Sequence, residues 1–149
     1  MTSMIYFLRL ASLIFVALAL VPAGSHLFSL ANKMRLDRNA YLDAQRAYDG
    51  WSLFGIVVVA ALLSTLALML ALYRTGQPFI LALLASLCIV ATQLVFWTYT
   101  YPANRATGNW TVLPEQWTAL RTTWEYSHAA SAILTFLAFL LLIVASIRA

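Results

Sequence analysis

Charged residues are scarce in this chain, at 9% of its 149 residues. A soluble domain usually carries about 25% charged residues, whereas 63% of this chain is apolar. The composition therefore excludes an ordinary water-soluble fold. It also excludes disorder, because disordered chains contain few aromatic residues, and here aromatic residues make up 13%. Lipid is the solvent that this composition fits.

Cysteine is nearly absent, since Cys88 is the single one. No intramolecular disulfide can form, and an apolar neighbourhood predicts a packed thiol. The net charge of +4 comes from nine Lys and Arg against five Asp and Glu. These cations lie between or at the ends of apolar segments, where they act as topology signals. No basic patch lies on a polar domain, so nucleic acid is not an expected partner.

Four apolar stretches are long enough to cross a bilayer, at about residues 10–30, 53–73, 79–97 and 129–147. A helix needs about 20 apolar residues to span the hydrocarbon. Backbone groups in lipid must be paired internally, which an open sheet cannot do. The sequence therefore predicts one all-α transmembrane domain, a four-helix bundle over residues 1–149. The first stretch is expected to be a retained span rather than a signal peptide, because its apolar run continues to Leu30.

The connections between the stretches differ in length. Residues 74–78 form a tight hairpin, whereas the other two connections have about 22 and about 27 residues. With four spans, both long loops fall on the same side of the membrane. In the first long loop, residues 38–49 predict a short interfacial helix whose Tyr41 and Tyr48 face the membrane. We expect this helix to lie over the end of the bundle as a lid.

Polar and aromatic residues concentrate at the long-loop end of the spans. His26 lies about one turn inside the first span. In the third span, helical spacing aligns Gln93, Trp97, Tyr101 and Asn104, and Pro102 is expected to end or bend the helix. The last helix carries a single face of Trp117, Arg121, Trp124 and His128, with Glu125 within reach of both Arg121 and His128.

This polar cluster has four interpretations. The first is a helix-end network in which Arg121 pairs with Glu125. The second is a metal site of His26, Glu125 and His128. The third is a haem site with both histidines as axial ligands, and the fourth is a pocket without a cofactor. In the pocket, Trp97, Tyr101, Trp117 and Trp124 hold a flat substrate, and His128 or His26 is the general base.

The last third of the chain resembles a known membrane family. The segment FWTYTYPANRATGNW, followed by PEQWTALRTTWEYSHAASAILTFLAF, is similar to the carboxy-terminal half of the anthrone-oxygenase-like family. That four-span family has Pro-x-Asn after its third span, then a Trp, an Arg and a His or Asn opening the fourth. The matching residues here are Pro102, Asn104, Trp117 or Trp124, Arg121 and His128. The motif covers residues 97–135, and the layout covers most of the chain.

The resemblance implies a multi-pass protein of the bacterial inner (plasma) membrane. Fungal members are linked to oxidation of anthrones to anthraquinones by oxygen, without an obvious cofactor. We therefore expect a pocket at the long-loop end that binds or oxidises a hydrophobic aromatic or quinone-like molecule. The expected catalytic residues are His128, Glu125 and His26. The expected substrate-binding residues are Arg121, Asn104, Gln93, Trp97, Tyr101, Trp117 and Trp124. The cofactor stays open between none, a single metal ion and haem.

A second hypothesis is a membrane subunit or assembly factor without catalytic activity. It would dock a protein partner, or a second copy of the chain, through the long-loop face. It predicts a polar cluster closed by salt bridges and a cavity filled by Trp97, Trp117 and Trp124. A channel or transporter is not expected, because no span interior carries a charge.

Overall fold

Four long apolar helices span the molecule in the computed structural model, which describes residues 2–147. They are α1 (Thr2–Lys33), α3 (Phe54–Ala71), α4 (Gln77–Val95) and α6 (Trp117–Ile147). Two short helices, α2 (Arg38–Gln45) and α5 (Tyr101–Ala106), lie at the long-loop end. No strand occurs among the described residues, and all four long helices have the length and hydropathy of membrane spans. The predicted all-α four-helix membrane bundle is confirmed.

The bundle is a closed ring of antiparallel neighbours. Helix α1 packs against α3 and α6, and α4 packs against the same two helices. Lipid offers no hydrophobic driving force for helix association, so the helices are held by close van der Waals packing, which small residues allow. Buried alanines line the interfaces accordingly, at Ala61, Ala82, Ala85, Ala138 and Ala145. Val16, Leu68, Ile89 and Leu142 fill the space between them.

The spans are longer than the apolar stretches that predicted them. The first span is Ser3–Lys33 rather than 10–30, and the last is Trp117–Ile147 rather than 129–147. Hydropathy marks only the part of a helix that lies in hydrocarbon, whereas the backbone hydrogen bonds carry the helix into the interface. As a result, Lys33 belongs to a membrane helix, although the sequence assigned it to a loop.

The third span does not end at Pro102. A π-helical turn, Phe96–Thr100, follows α4, and the N–H of Tyr101 bonds the carbonyl of Phe96. Pro102 then lies in the first turn of α5, directly after the wide turn, and the helical backbone continues past it to Ala106. The wide turn changes the helical register, and Thr100 becomes buried while Trp97 and Tyr101 are exposed.

The predicted short helix is present as α2, but its buried face is different. Asp37 caps α2 by accepting a hydrogen bond from the N–H of Ala40 at 2.9 Å. Tyr41 is fully buried between the rings of Trp110 and Trp117 instead of facing the membrane. The prediction for Tyr41 was wrong because the second long loop, and not lipid, covers this face of α2.

Two arginines fasten this arrangement. Arg38 donates to the carbonyl of Leu113 at 2.6 Å, and Arg46 donates to the carbonyl of Trp110 at 2.7 Å. Both carbonyls belong to the second long loop. The two long loops are therefore joined into one cap over the end of the bundle.

Candidate functional site

A buried ion pair joins the cap ends of α1 and α6. Lys33 Nζ lies 2.8 Å from Glu125 Oε2, and the side chains are 6% and 0% exposed. The hydroxyl of Tyr41, on α2, donates to Glu125 Oε1 at 2.9 Å. We call Lys33, Glu125 and Tyr41 the ion-pair cluster. It connects the first helix, the last helix and the cap at one point.

Tyr41 stays protonated in this cluster. Its burial, and then the negative charge of Glu125, raise the pKa of Tyr41 well above its ordinary value. The hydroxyl therefore serves as a hydrogen-bond donor to the carboxylate. A buried carboxylate needs such donors, because an unpaired charge in a low-dielectric interior is strongly unfavourable.

Lys33 also contacts the two rings that separate it from the bundle interior. Its ammonium lies 4.9 Å from the ring centre of Tyr48 and 5.2 Å from that of Trp124, which is cation–π geometry. The same ammonium lies 3.3 Å from His26 Nδ1. An ammonium has only protons to give, so Nδ1 accepts and the proton of a neutral His26 resides on Nε2.

The two histidines form a stacked pair. The ring centres of His26 and His128 are 4.1 Å apart, with planes inclined by 25°. Tyr48 covers His26 at 4.3 Å. The ring of Trp124 meets both histidines nearly edge-on, at 4.9 and 4.3 Å. These contacts fix the orientation of both imidazoles without a hydrogen bond to each other.

A cavity of about 660 Å³ lies beside the histidine pair. Sites for small molecules usually measure about 300–1,000 Å³. All four long helices and both long loops contribute to its wall. The aromatic part of the wall is Tyr48, Trp51, Phe54, Phe96, Tyr101, Trp110 and Trp124. The larger polar groups are His26, Gln45, Asp49, Gln93, Asn104, Asn109 and His128.

Most of the predicted site residues line this cavity. His26, His128, Gln93, Asn104, Tyr101 and Trp124 do so. The indole N–H of Trp124 donates to Asn104 Oδ1 at 2.6 Å, so the two predicted residues position each other. This pair also links α6 to α5, which follows the π-helical turn.

Four predicted site residues do not line the cavity, namely Glu125, Arg121, Trp97 and Trp117. Glu125 has Lys33 as its ion-pair partner instead of the predicted Arg121. Arg121 donates to the carbonyl of Leu36 at 2.8 Å and lies 4.6 Å from the ring centre of Trp117. Trp97 is 60% exposed on the outer face of the bundle. These side chains fasten the cap or face outward.

The arrangement of the histidines bears on both the predicted metal site and the predicted haem site. Among residues 2–147, no three His, Cys, Asp or Glu side chains are grouped to hold a metal ion. The predicted ligand set of His26, Glu125 and His128 is not assembled, because the ammonium of Lys33 contacts both His26 and Glu125. Two axial haem ligands must lie on opposite faces of the macrocycle. The stacked histidines leave no space for one between them.

Several residues of the site were missed in the sequence. Lys33 was assigned to a loop, although it follows His26 by seven residues and so shares a helix face with it. Gln45 follows Tyr41 by four residues on α2, and this spacing could have indicated that the two residues share a helix face. Trp110 has no such signal, because its position depends on contacts with distant segments.

Comparisons of the chain with protein-family models, with curated proteins and with solved structures found no match.

The ion-pair cluster yields a stability prediction. Glu125→Gln should lower the free energy of unfolding by about 3–5 kcal/mol, because it leaves the Lys33 ammonium buried without a counter-charge. The double variant Lys33→Met/Glu125→Gln should recover much of that loss. Denaturant unfolding in detergent, followed by circular dichroism, measures both.

Glu115→Gln is the matched control, since Glu115 is an exposed acid just before α6. It should change the free energy of unfolding by less than about 0.5 kcal/mol. If Glu125→Gln is no less stable than this control, the ion pair does not hold the bundle end together.

Proposed function

We propose that this integral membrane protein binds a flat, hydrophobic aromatic or quinone-like molecule in the cavity beside the histidine pair, and oxidises it. The reaction is that of the anthrone-oxygenase-like family, and the membrane is the bacterial inner membrane. The cavity is the observation that carries this proposal. Its size and its position at the long-loop end agree with what the resemblance implies.

The wall of the cavity suits a planar ligand. Aromatic side chains from both long loops, the π-helical turn and α6 surround it, including Tyr48, Trp110, Phe96 and Trp124. Rings of this kind stack on planar molecules in offset or edge-on arrangements. The outer surface of the spans is apolar, with exposed residues such as Leu94 and Leu63. A hydrophobic ligand dissolved in the bilayer therefore meets a surface that it can approach.

The histidine pair supplies acid–base chemistry at the polar side of the cavity. Because Lys33 donates to Nδ1 of His26, that imidazole offers a proton on Nε2 and no free lone pair. His128 is then the base of the pair. Glu125 acts through Lys33, as a positioning residue for His26.

An anthrone-type CH₂ group fits these roles. His128 takes one proton from the CH₂ carbon, and the resulting enolate reacts with molecular oxygen. One oxygen atom becomes the new carbonyl oxygen, and the other leaves as water with the two hydrogens. The carbon is oxidised and the oxygen molecule is reduced, so no further reductant is needed. The N–H of His26 stabilises negative charge that develops on the substrate.

The docking hypothesis predicted a cavity filled by Trp97, Trp117 and Trp124. Trp97 lies on the outer face and Trp117 packs against Arg121, so neither occupies the space. The open cavity favours a small-molecule ligand over a protein partner at this end of the bundle.

Binding is tested by filling the cavity. Ser131 lines it, whereas the next residue, Ala130, is exposed on α6. Ser131→Phe should raise the Kd for 9,10-anthraquinone at least about tenfold, because the added ring takes the ligand's place. Ala130→Phe should leave the Kd unchanged. Equilibrium dialysis with detergent micelles on both sides measures specific binding above partition into micelles. Equal Kd values for the two variants would place the ligand elsewhere.

Turnover is tested with anthrone in oxygenated detergent buffer, by following anthraquinone formation against protein-free micelles. His128→Ala should reduce the catalysed rate at least about 100-fold, the usual contribution of a positioned base. Its Kd for anthraquinone should change much less than its rate. Unchanged turnover would remove His128 from the mechanism, and the absence of turnover in the wild-type protein would remove the oxidation.

A further inference from the structure

Two N–H groups on residues that line the cavity have no hydrogen-bond partner within residues 2–147. They are Nε1 of Trp110 and Nε2 of Gln45, and both atoms are buried. The two residues are 2% and 3% exposed and belong to different long loops. Neither was a site residue in the sequence-based prediction.

Unpartnered N–H groups of this kind are rare in folded proteins. The large majority of buried side-chain polar atoms have a hydrogen-bond partner. An indole N–H is a donor only and cannot change its role. Since burial without a partner costs free energy, a donor that persists beside a cavity indicates an acceptor on the cavity's ligand.

The position of Trp110 is fixed from several sides. Its ring packs edge-on against Tyr41 at 5.2 Å and against Trp124 at 5.4 Å. Its backbone N–H bonds Thr107 Oγ1 at 3.1 Å, and its carbonyl accepts from Arg46 at 2.7 Å. The indole cannot easily rotate to find another acceptor. Its N–H is thus a preorganised donor.

Gln45 lies in the same corner. It is the last residue of α2, one turn after Tyr41, and its amide lies next to the Tyr41 hydroxyl. An amide nitrogen carries two N–H groups, so a contact with Tyr41 leaves one of them for another acceptor. Trp110 contacts Tyr41 from the other side. Both donors therefore flank one tyrosine ring at the cap end of the cavity.

The local charge favours an electron-rich partner. Lys33 lies over the ring of Trp124, and Arg121 lies over the ring of Tyr41. The anions of this corner are Glu125, which pairs with Lys33, and Asp49, which lines the cavity and pairs with Arg46 at 3.4 Å. Counted with Arg121, the three cations outnumber the two anions. An oxygen with partial or full negative charge is complementary to this surplus of positive charge.

We propose that the ligand of this cavity carries an oxygen acceptor, a carbonyl or a phenolate, that accepts hydrogen bonds from Trp110 Nε1 and Gln45 Nε2. This inference rests on the proposed function and makes its ligand class specific. The cavity selects quinones and aryl ketones over arenes of the same shape. A site that is built to hydrogen-bond an oxygen rejects the analogue that lacks it, because its donors are then left unpaired.

The test compares 9,10-anthraquinone with anthracene, which has the same three rings and no oxygen. Equilibrium dialysis against matched micelles gives both Kd values for the wild-type protein. We expect anthraquinone to bind at least about tenfold more tightly than anthracene after correction for partition into micelles. This comparison needs no variant, so it does not depend on the folding of one.

Two variants then assign the selectivity to its donors. Trp110→Phe removes the indole N–H and Gln45→Met removes the amide NH₂, and each leaves an apolar side chain in its place. Each should weaken anthraquinone binding several-fold and leave anthracene binding unchanged. Gln77→Met, an exposed glutamine at the opposite end of the bundle, is the control and should change neither Kd.

The outcomes separate this inference from the proposed function. Equal wild-type affinity for the two ligands overturns the inference. It is also overturned if Trp110→Phe and Gln45→Met raise the Kd for anthraquinone and the Kd for anthracene by the same factor. The proposed aromatic site survives both results, provided that Ser131→Phe still blocks binding. If neither ligand binds in a way that Ser131→Phe blocks, the proposed function fails, and the inference fails with it.

Discussion

The ion pair between Lys33 and Glu125 is the constraint on which the end of the bundle depends. Two opposite charges at 2.8 Å with almost no exposure stabilise each other only while both remain in place. One charge belongs to the last turn of α1 and the other to the third turn of α6. The pair therefore fixes where these antiparallel helices meet. Tyr41 adds the cap to the same point through its hydrogen bond to Glu125.

The cavity follows from this constraint. Lys33 holds His26 by its Nδ1, His26 stacks on His128, and Trp124 covers the edges of both rings. In the cap above them, two arginines of the first long loop donate hydrogen bonds to carbonyls of the second. Rigid aromatic walls then enclose space that the side chains do not fill. The buried charges of Lys33 and Glu125 thus lie next to the histidines that line the cavity.

The sequence predicted the fold well and the site only partly. Hydropathy located four spans, and helical spacing brought His26, His128, Asn104 and Trp124 to the same end. The contribution of Lys33 was missed, because hydropathy places a lysine outside a span even when the helix continues through it. The partner of Glu125 was also missed. Local spacing favoured Arg121, whereas the structure uses Lys33 from a helix far away in sequence, and no local pattern encodes that pairing. The exposure of Trp97 and Tyr101 could not be predicted either, because no local sequence pattern encodes the π-helical turn before Pro102.

The central claim is that a flat aromatic ligand occupies the capped end of this bundle. Amide hydrogen exchange in detergent, with and without saturating 9,10-anthraquinone, tests it most directly. The account predicts slower exchange in residues 46–55 and 104–110, whose turns border the cavity, and no change in the hairpin at residues 72–78. Protection at the hairpin, or no protection anywhere, would contradict it.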